Sequence, residues 1–244
     1  MLRSVPVARR FCRTLTHSVG RASLPWVALL LLQSGPVQAQ EIACEHMGVT
    51  AVGWSQPDAM EICRAVSRAM RFLRTVNVTL ETELIIRPLS DASAREQPQL
   101  IAHFNARNGE MRIRPLAETA ASCGEATQLF GLPMSRELWN SVIAHETAHA
   151  AVEPHFAPET PKIAASEYIA TVTQLSALPE TVRNAILVRY QEVPAWADTT
   201  EISLTYYLLD PCAFAVKSYR HFAALQAPSR SDFIRRLLLR GLRD

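Results

Sequence analysis

The stretch SVIAHETAHAAVE, Ser141–Glu153, decides how the rest of the chain is read, because it carries His145, Glu146 and His149 in the order H-E-x-x-H. On a helix, a step of four residues brings both imidazoles onto one face, one turn apart, while Glu146 leans from the adjacent row toward whatever they hold. Two neutral nitrogens can hold a zinc ion, a neighbouring carboxylate can take a proton from water, and an open coordination position admits a polarised carbonyl. The flanking residues predict that helix. Leu138, Val142, His145, His149 and Val152 follow its period, with Trp139, Ile143 and Ala150 on the next row. Pro133 and Ser135 supply a breaker and an N-cap, and Pro154 stops the helix. Two histidines and a glutamate on a helix that is otherwise apolar and buried are costly without a partner, which argues for a ligand.

Outward from this helix, the amino end differs in kind from the rest. Five arginines (Arg3, Arg9, Arg10, Arg13, Arg21) occur there with no acid, followed by the apolar run Leu24–Leu32 and by small residues at Val37 and Ala39. This pattern predicts a signal peptide over residues 1–39, with residues 40–244 as one mature domain in the periplasm or secreted. The apolar run is short for a bilayer span, so no membrane association is expected after cleavage. An Arg-rich start also suits an organellar transit peptide, but the Leu-rich core is not amphipathic.

Without the leader, the net charge of +2 falls by five to −3, which leaves no basic footprint for nucleic acid. Cys12 leaves as well. The even set Cys44, Cys63, Cys123 and Cys212 then suits two disulfides in an oxidising compartment; their connectivity is not deducible from sequence, with Cys44–Cys63 and Cys123–Cys212 the favoured pairing. No C-x-x-C pair supports a cysteine zinc site.

Along the mature chain, residues 47–54 read as a first strand and Ser55 as the cap of a helix with the stripe Ala59, Ile62, Cys63, Val66, Met70 and Leu73. Residues 76–88 read as a strand and 89–99 as a polar loop. Asn77-Val78-Thr79 is formally a glycosylation sequon. Residues 100–105 and 110–116 flank Asn108-Gly109 and predict a β-hairpin. Its second strand, EMRIRPL, reads as a sheet edge able to pair with an extended peptide or simply to avoid aggregation. Beyond Pro161 every segment has helical character: 162–178, 180–191, 201–209, 211–225 and 231–242. The expected class is therefore α+β, a small mixed sheet with helices followed by a helical carboxyl-terminal lobe.

Catalytic zinc usually has three protein ligands, so the two histidines need a third. His155, Glu167 and Asp210 are the candidates. His155 has the ligand spacing of H-E-x-x-H-x-x-G-x-x-H, yet Val152 stands where that pattern needs glycine, and no methionine follows Met134 to supply its downstream turn. The segment SEYIA, Ser166–Ala170, resembles the second motif of the gluzincin metallopeptidases, in which a ligand glutamate precedes a small residue by three. The resemblance covers roughly residues 100–174. It implies a compact zincin-like fold, Glu167 as third zinc ligand and Glu146 as general base. It also implies an oxyanion stabiliser, for which Tyr206, Tyr207, His221 and His155 are candidates. Relatives that place an aspartate four residues after the ligand glutamate use it to orient a histidine, but here Thr171 stands there.

The function these residues predict is an exported zinc metallopeptidase with a protein or peptide substrate. Two alternatives remain: a zincin-shaped protein in which zinc is structural, and a zinc hydrolase of a non-peptide bond.

Overall fold

The computed structural model describes residues 40–45, 48–90, 100–120, 128–160 and 162–242. The leader expected over residues 1–39 lies outside them. No helix among the described residues is long and apolar enough to cross a membrane.

Ser55 opens the first long helix, α1 (Gln56–Arg74): its hydroxyl accepts from the Asp58 amide at 3.3 Å, and Pro57 sits in the first turn, where its missing N–H costs nothing. The stripe Ala59, Ile62, Val66, Met70 and Leu73 is buried as its spacing requires. Before α1 come two antiparallel strands, β1 (Glu41–Cys44) and β2 (Val49–Val52). Only β2 falls within the strand expected over residues 47–54. β1 is too short to show in the pattern. A disulfide between Cys44 and Cys63 ties β1 to α1 across a separation of 19 residues. Closing a loop of that size stabilises a fold by about 3 kcal/mol.

Of the stretch 76–88 only its end pairs, as β3 (Leu84–Pro88). Asn77 takes a positive φ of 60°, which ends any extended run, although Val76 and Val78 still bury their side chains. The hairpin forms from β4 (Ala102–Asn105) and β5 (Glu110–Ile113). Its turn is a four-residue loop rather than a two-residue one. Asn105 and Asn108 accept from the Arg107 and Glu110 amides, and Gly109 supplies the positive φ.

The sheet order is β1-β2-β3-β5-β4, with β2-β3 and β3-β5 parallel and the two outer pairs antiparallel. The edge strands are therefore β1 and β4, and the expectation that EMRIRPL forms an edge is corrected. β5 pairs on both sides, and Pro115 lies beyond its last ladder residue, so the proline blocks nothing.

After the short helix α2 (Leu116–Ala120) comes a small hairpin, β6 (Gln128–Leu129) and β7 (Leu132–Pro133), turned by Phe130 and Gly131 at φ of 54° and 67°. Two positive φ values make the primed turn that two-residue hairpins favour. Ser135 then caps α3 (Arg136–Val152), accepting from the Leu138 amide at 3.2 Å. α3 crosses α1 and runs beside β4.

Two tryptophans fasten α3 to the sheet. Trp139 donates to the Arg114 carbonyl at 2.9 Å, Trp54 donates to the Ile86 carbonyl at 3.0 Å, and the rings meet edge to face with centroids 6.3 Å apart. Glu61, a buried acid on α1, accepts from Asn140 on α3 and from Arg64, with Arg68 at 3.6 Å.

A 3₁₀ turn over Glu153–His155 leads to α4 (Ile163–Ala177), which packs on α3 and α1. The rest is helical, in α5 (Glu180–Arg189), α6 (Leu204–Leu209), α7 (Pro211–Ala224) and α8 (Ser229–Arg240), with α6, α7 and α8 all touching α4. The class is α+β, a five-stranded mixed sheet with eight α-helices among the described residues.

Candidate metal centre

His145 and His149 stand one turn apart on α3, and their rings turn the Nε2 atoms toward each other at 3.0 Å. α4 brings Glu167 to the same point. Its Oε2 lies 3.4 Å from His145 Nε2 and its Oε1 3.6 Å from His149 Nε2. One ligand atom from each of the three lies within 4.8 Å of the others, so the group can hold a metal ion.

The polar chemistry fits a cation at that point. Two bare imidazole nitrogens 3.0 Å apart repel unless a proton or a metal lies between them, and Glu167 Oε2 is buried with no hydrogen-bond donor. The pKa directions agree. Burial and the neighbouring His145 charge hold His149 down to about 4 against the pull of Glu167. Burial alone would raise Glu167, but the adjacent His145 ring, the two histidine charges and Tyr207 outweigh it and hold the carboxyl at about 2. His145 goes the other way: burial lowers it, yet Glu167, the Glu146 charge and Gln174 lift it above the usual histidine value. A positive charge at His145 is thus favoured by the carboxylates around it, as a bound cation would be. Two imidazoles and a carboxylate suit zinc and also other borderline divalent ions.

Glu146 is buried on the adjacent row of α3. Burial, and the Glu167 carboxylate, raise its pKa against the attraction of His145 and a bond from the Phe104 amide. It lines two cavities. One, of about 350 Å³, is polar and holds the three donors together with His103, Phe104, Ser166 and Tyr207. The other, of about 290 Å³, is largely apolar, walled by Leu100, Ile101, Leu129, Val142 and Ala215.

β4 runs along the mouth of both cavities. The Arg114 amide donates to the Ile101 carbonyl at 2.7 Å, so alternate residues 101, 103 and 105 bond inward to β5, and the backbone groups of Ala102 and Phe104 point out from the open edge. That edge faces Glu146.

The remaining candidates separate by position. Tyr207 on α6 lines both cavities and lies against Glu167; burial and that carboxylate push its phenol well above the ordinary tyrosine value, so it is a hydrogen-bond donor. Tyr206 packs on Trp196 with ring centroids 5.0 Å apart, away from the donors. His221 bonds Tyr168 at 2.7 Å beside Phe233. His155 faces the Thr79 carbonyl at 3.1 Å and Glu81 at 3.7 Å, and is not part of the donor group. Asp210 caps α7 by accepting from the Ala213 amide at 2.9 Å. Cys212, in the wall of the apolar cavity, has no disulfide partner among the described residues, and its expected partner Cys123 lies outside them.

Ser166 is a contact that sequence reasoning missed. Its hydroxyl lies 2.7 Å from His149 Nδ1 and orients that ring. The signal was its place next to Glu167. The Thr171 hydroxyl, by contrast, turns back to the Glu167 carbonyl at 2.8 Å and reaches neither histidine.

A family model matches the chain over residues 49–241, which include the whole donor group, Glu146 and Tyr207. The chain belongs to DUF6639. That family is one of unknown function. No curated protein and no solved structure matches the chain.

Proposed function

We propose that this DUF6639 chain is an exported, zinc-dependent peptidase of the gluzincin type. The observation that carries the reading is the placement of a buried carboxylate, Glu146, between a three-donor group and an open strand edge. A metal held only for structure has no need of a base at that position. Zinc at His145, His149 and Glu167 supplies Lewis acidity when bound.

The chain's own residues account for the rest. An extended peptide lies along β4 and bonds the outward backbone groups of Ala102 and the Phe104 carbonyl, the Phe104 amide being held by Glu146, with an apolar side chain entering the cavity walled by Leu129 and Val142. Glu146, its basicity raised by burial, takes a proton from the attacking water and passes it to the departing amine. The neutral Tyr207 hydroxyl donates to the oxygen on which negative charge develops. Export is supported by the Cys44–Cys63 disulfide, which an oxidising compartment preserves.

The test is zinc content by mass spectrometry, together with hydrolysis of a peptide library by the mature protein. Glu146→Gln should keep its zinc and lose activity about 10²- to 10⁴-fold. Hydrolysis undiminished in that variant, or a protein that takes up no zinc, refutes the proposal. Zinc whose removal lowers the melting temperature while no peptide is ever cut assigns the centre a structural role instead.

A further inference from the structure

His145 presents a difficulty that His149 does not. A ring that offers Nε2 to a metal must keep its proton on Nδ1, and that proton needs an acceptor. His149 has one in Ser166 at 2.7 Å. His145 Nδ1 is buried and makes no hydrogen bond of normal geometry. Left so, a neutral His145 would keep its proton on Nε2, where Glu167 Oε2 waits at 3.4 Å, and the lone pair a metal requires would be lost.

We propose that Gln174 is the positioning residue that fixes His145 for metal binding, its side-chain carbonyl accepting the Nδ1 proton as the ion is seated. Gln174 lies on α4 two turns beyond Glu167, is 6% exposed, and shares the wall of the apolar cavity with His145. Its amide is held in one orientation by a chain of donors. Gln174 Nε2 donates to Ser141 Oγ at 3.3 Å, and Ser141 in turn donates to the Leu138 carbonyl at 2.7 Å. With the nitrogen committed to Ser141, the oxygen is the end left for the imidazole, whose buried Nδ1 shares that cavity wall. The Thr171 hydroxyl turns back to donate to the carbonyls of Glu167 and Tyr168 and makes no bond to His145.

The inference rests on the metal-centre reading and is tested separately from it. Zinc affinity is measured by chelator competition for the mature wild-type protein, Gln174→Leu, Gln174→Glu and Ser141→Ala, with cobalt substituted for its visible spectrum. Melting of each chelated protein serves as the control for folding. Gln174→Leu should bind zinc roughly 10- to 100-fold more weakly, the usual effect of deleting a group that orients a ligand. Its cobalt spectrum should shift. Gln174→Glu, which keeps an acceptor, should restore affinity to within a few-fold of wild type, a rescue that a packing role would not produce. Ser141→Ala leaves Gln174 in place but frees its amide, and should weaken zinc by a smaller factor, which keeps the idea testable if Gln174→Leu fails to fold. Wild-type affinity and spectrum in both Gln174→Leu and Ser141→Ala, or a Gln174→Glu protein as weak as Gln174→Leu, overturn the proposal while leaving the centre intact. A wild-type protein that binds no zinc removes both.

Discussion

Glu61 joins the helix that opens the domain to the helix that carries the histidines, and removing its charge alone should loosen that joint. In Glu61→Gln the shape is kept while the carboxylate is lost. The side chain is 6% exposed and accepts from Asn140, five residues before His145 on α3. A hydrogen bond to a charged acceptor contributes about 1.5–3 kcal/mol against about 1 for a neutral one, so neutralisation costs about 1 kcal/mol there. The arginines add less: the Arg64 and Arg68 side chains are 55% and 31% exposed, and water screens pairs of that kind to under about 1 kcal/mol each. The expected loss is about 1–2 kcal/mol, or roughly 3–6 °C in melting temperature for a domain of this size. Urea unfolding at pH 7 measures it.

The pH dependence supplies the sharper check. Burial raises the Glu61 carboxyl, but bonds from Arg64 and Asn140 and the charges of Arg64 and Arg136 outweigh it, so the folded value lies below the ordinary 4.5. A depressed folded value means that the stabilisation is fully present above the unfolded value and is lost as pH falls through the folded one. The gap between wild type and Glu61→Gln should therefore be largest at neutral pH and close on acidification below about 4.5. A gap that is absent at pH 7, or that stays constant down to pH 3, refutes the reasoning.

Three further outcomes follow from the same geometry. Glu167→Ala should release zinc on desalting while His155→Ala retains it, read by metal content; the reverse result would move the third ligand to the 3₁₀ turn. Tyr207→Phe should lower kcat by about 10²- to 10³-fold with little change in KM, because a donor to a developing charge acts mainly in the transition state. Trp139→Phe keeps most of the ring but leaves the Arg114 carbonyl without its indole donor, and should cost about 1–3 kcal/mol in chemical denaturation.

The parts of this protein written in local sequence were legible. α3 follows from its cap, its period and its stop, because Ser135, the spacing of Leu138 to Val152 and Pro154 act within a turn or two of themselves. The hairpin around Gly109 is of the same kind, whereas the cysteine spacing favoured the Cys44–Cys63 pairing without fixing it. What long-range pairing decides was not legible. Nothing in Glu110–Ile113 says that a strand more than twenty residues upstream will claim its other side, so the edge fell to β4. The donor group divides in the same way. His145, Glu146 and His149 share one helix and announce themselves, whereas the roles of Ser166, Gln174 and Tyr207 depend on how α4 and α6 seat against α3. Four residues competed as oxyanion donors, and packing left only Tyr207 beside Glu167.

The shortness of β4 has a consequence for what can be taken in. Four residues span about 13 Å, and of them only Ala102 and Phe104 turn backbone groups outward, so on the proposed function a guest strand would find anchorage for only a few residues before the loop at 106–109. The cleft would then ask of its target only a short extended segment, such as a loop or a chain end, and the length engaged would be set by β4 rather than by the target.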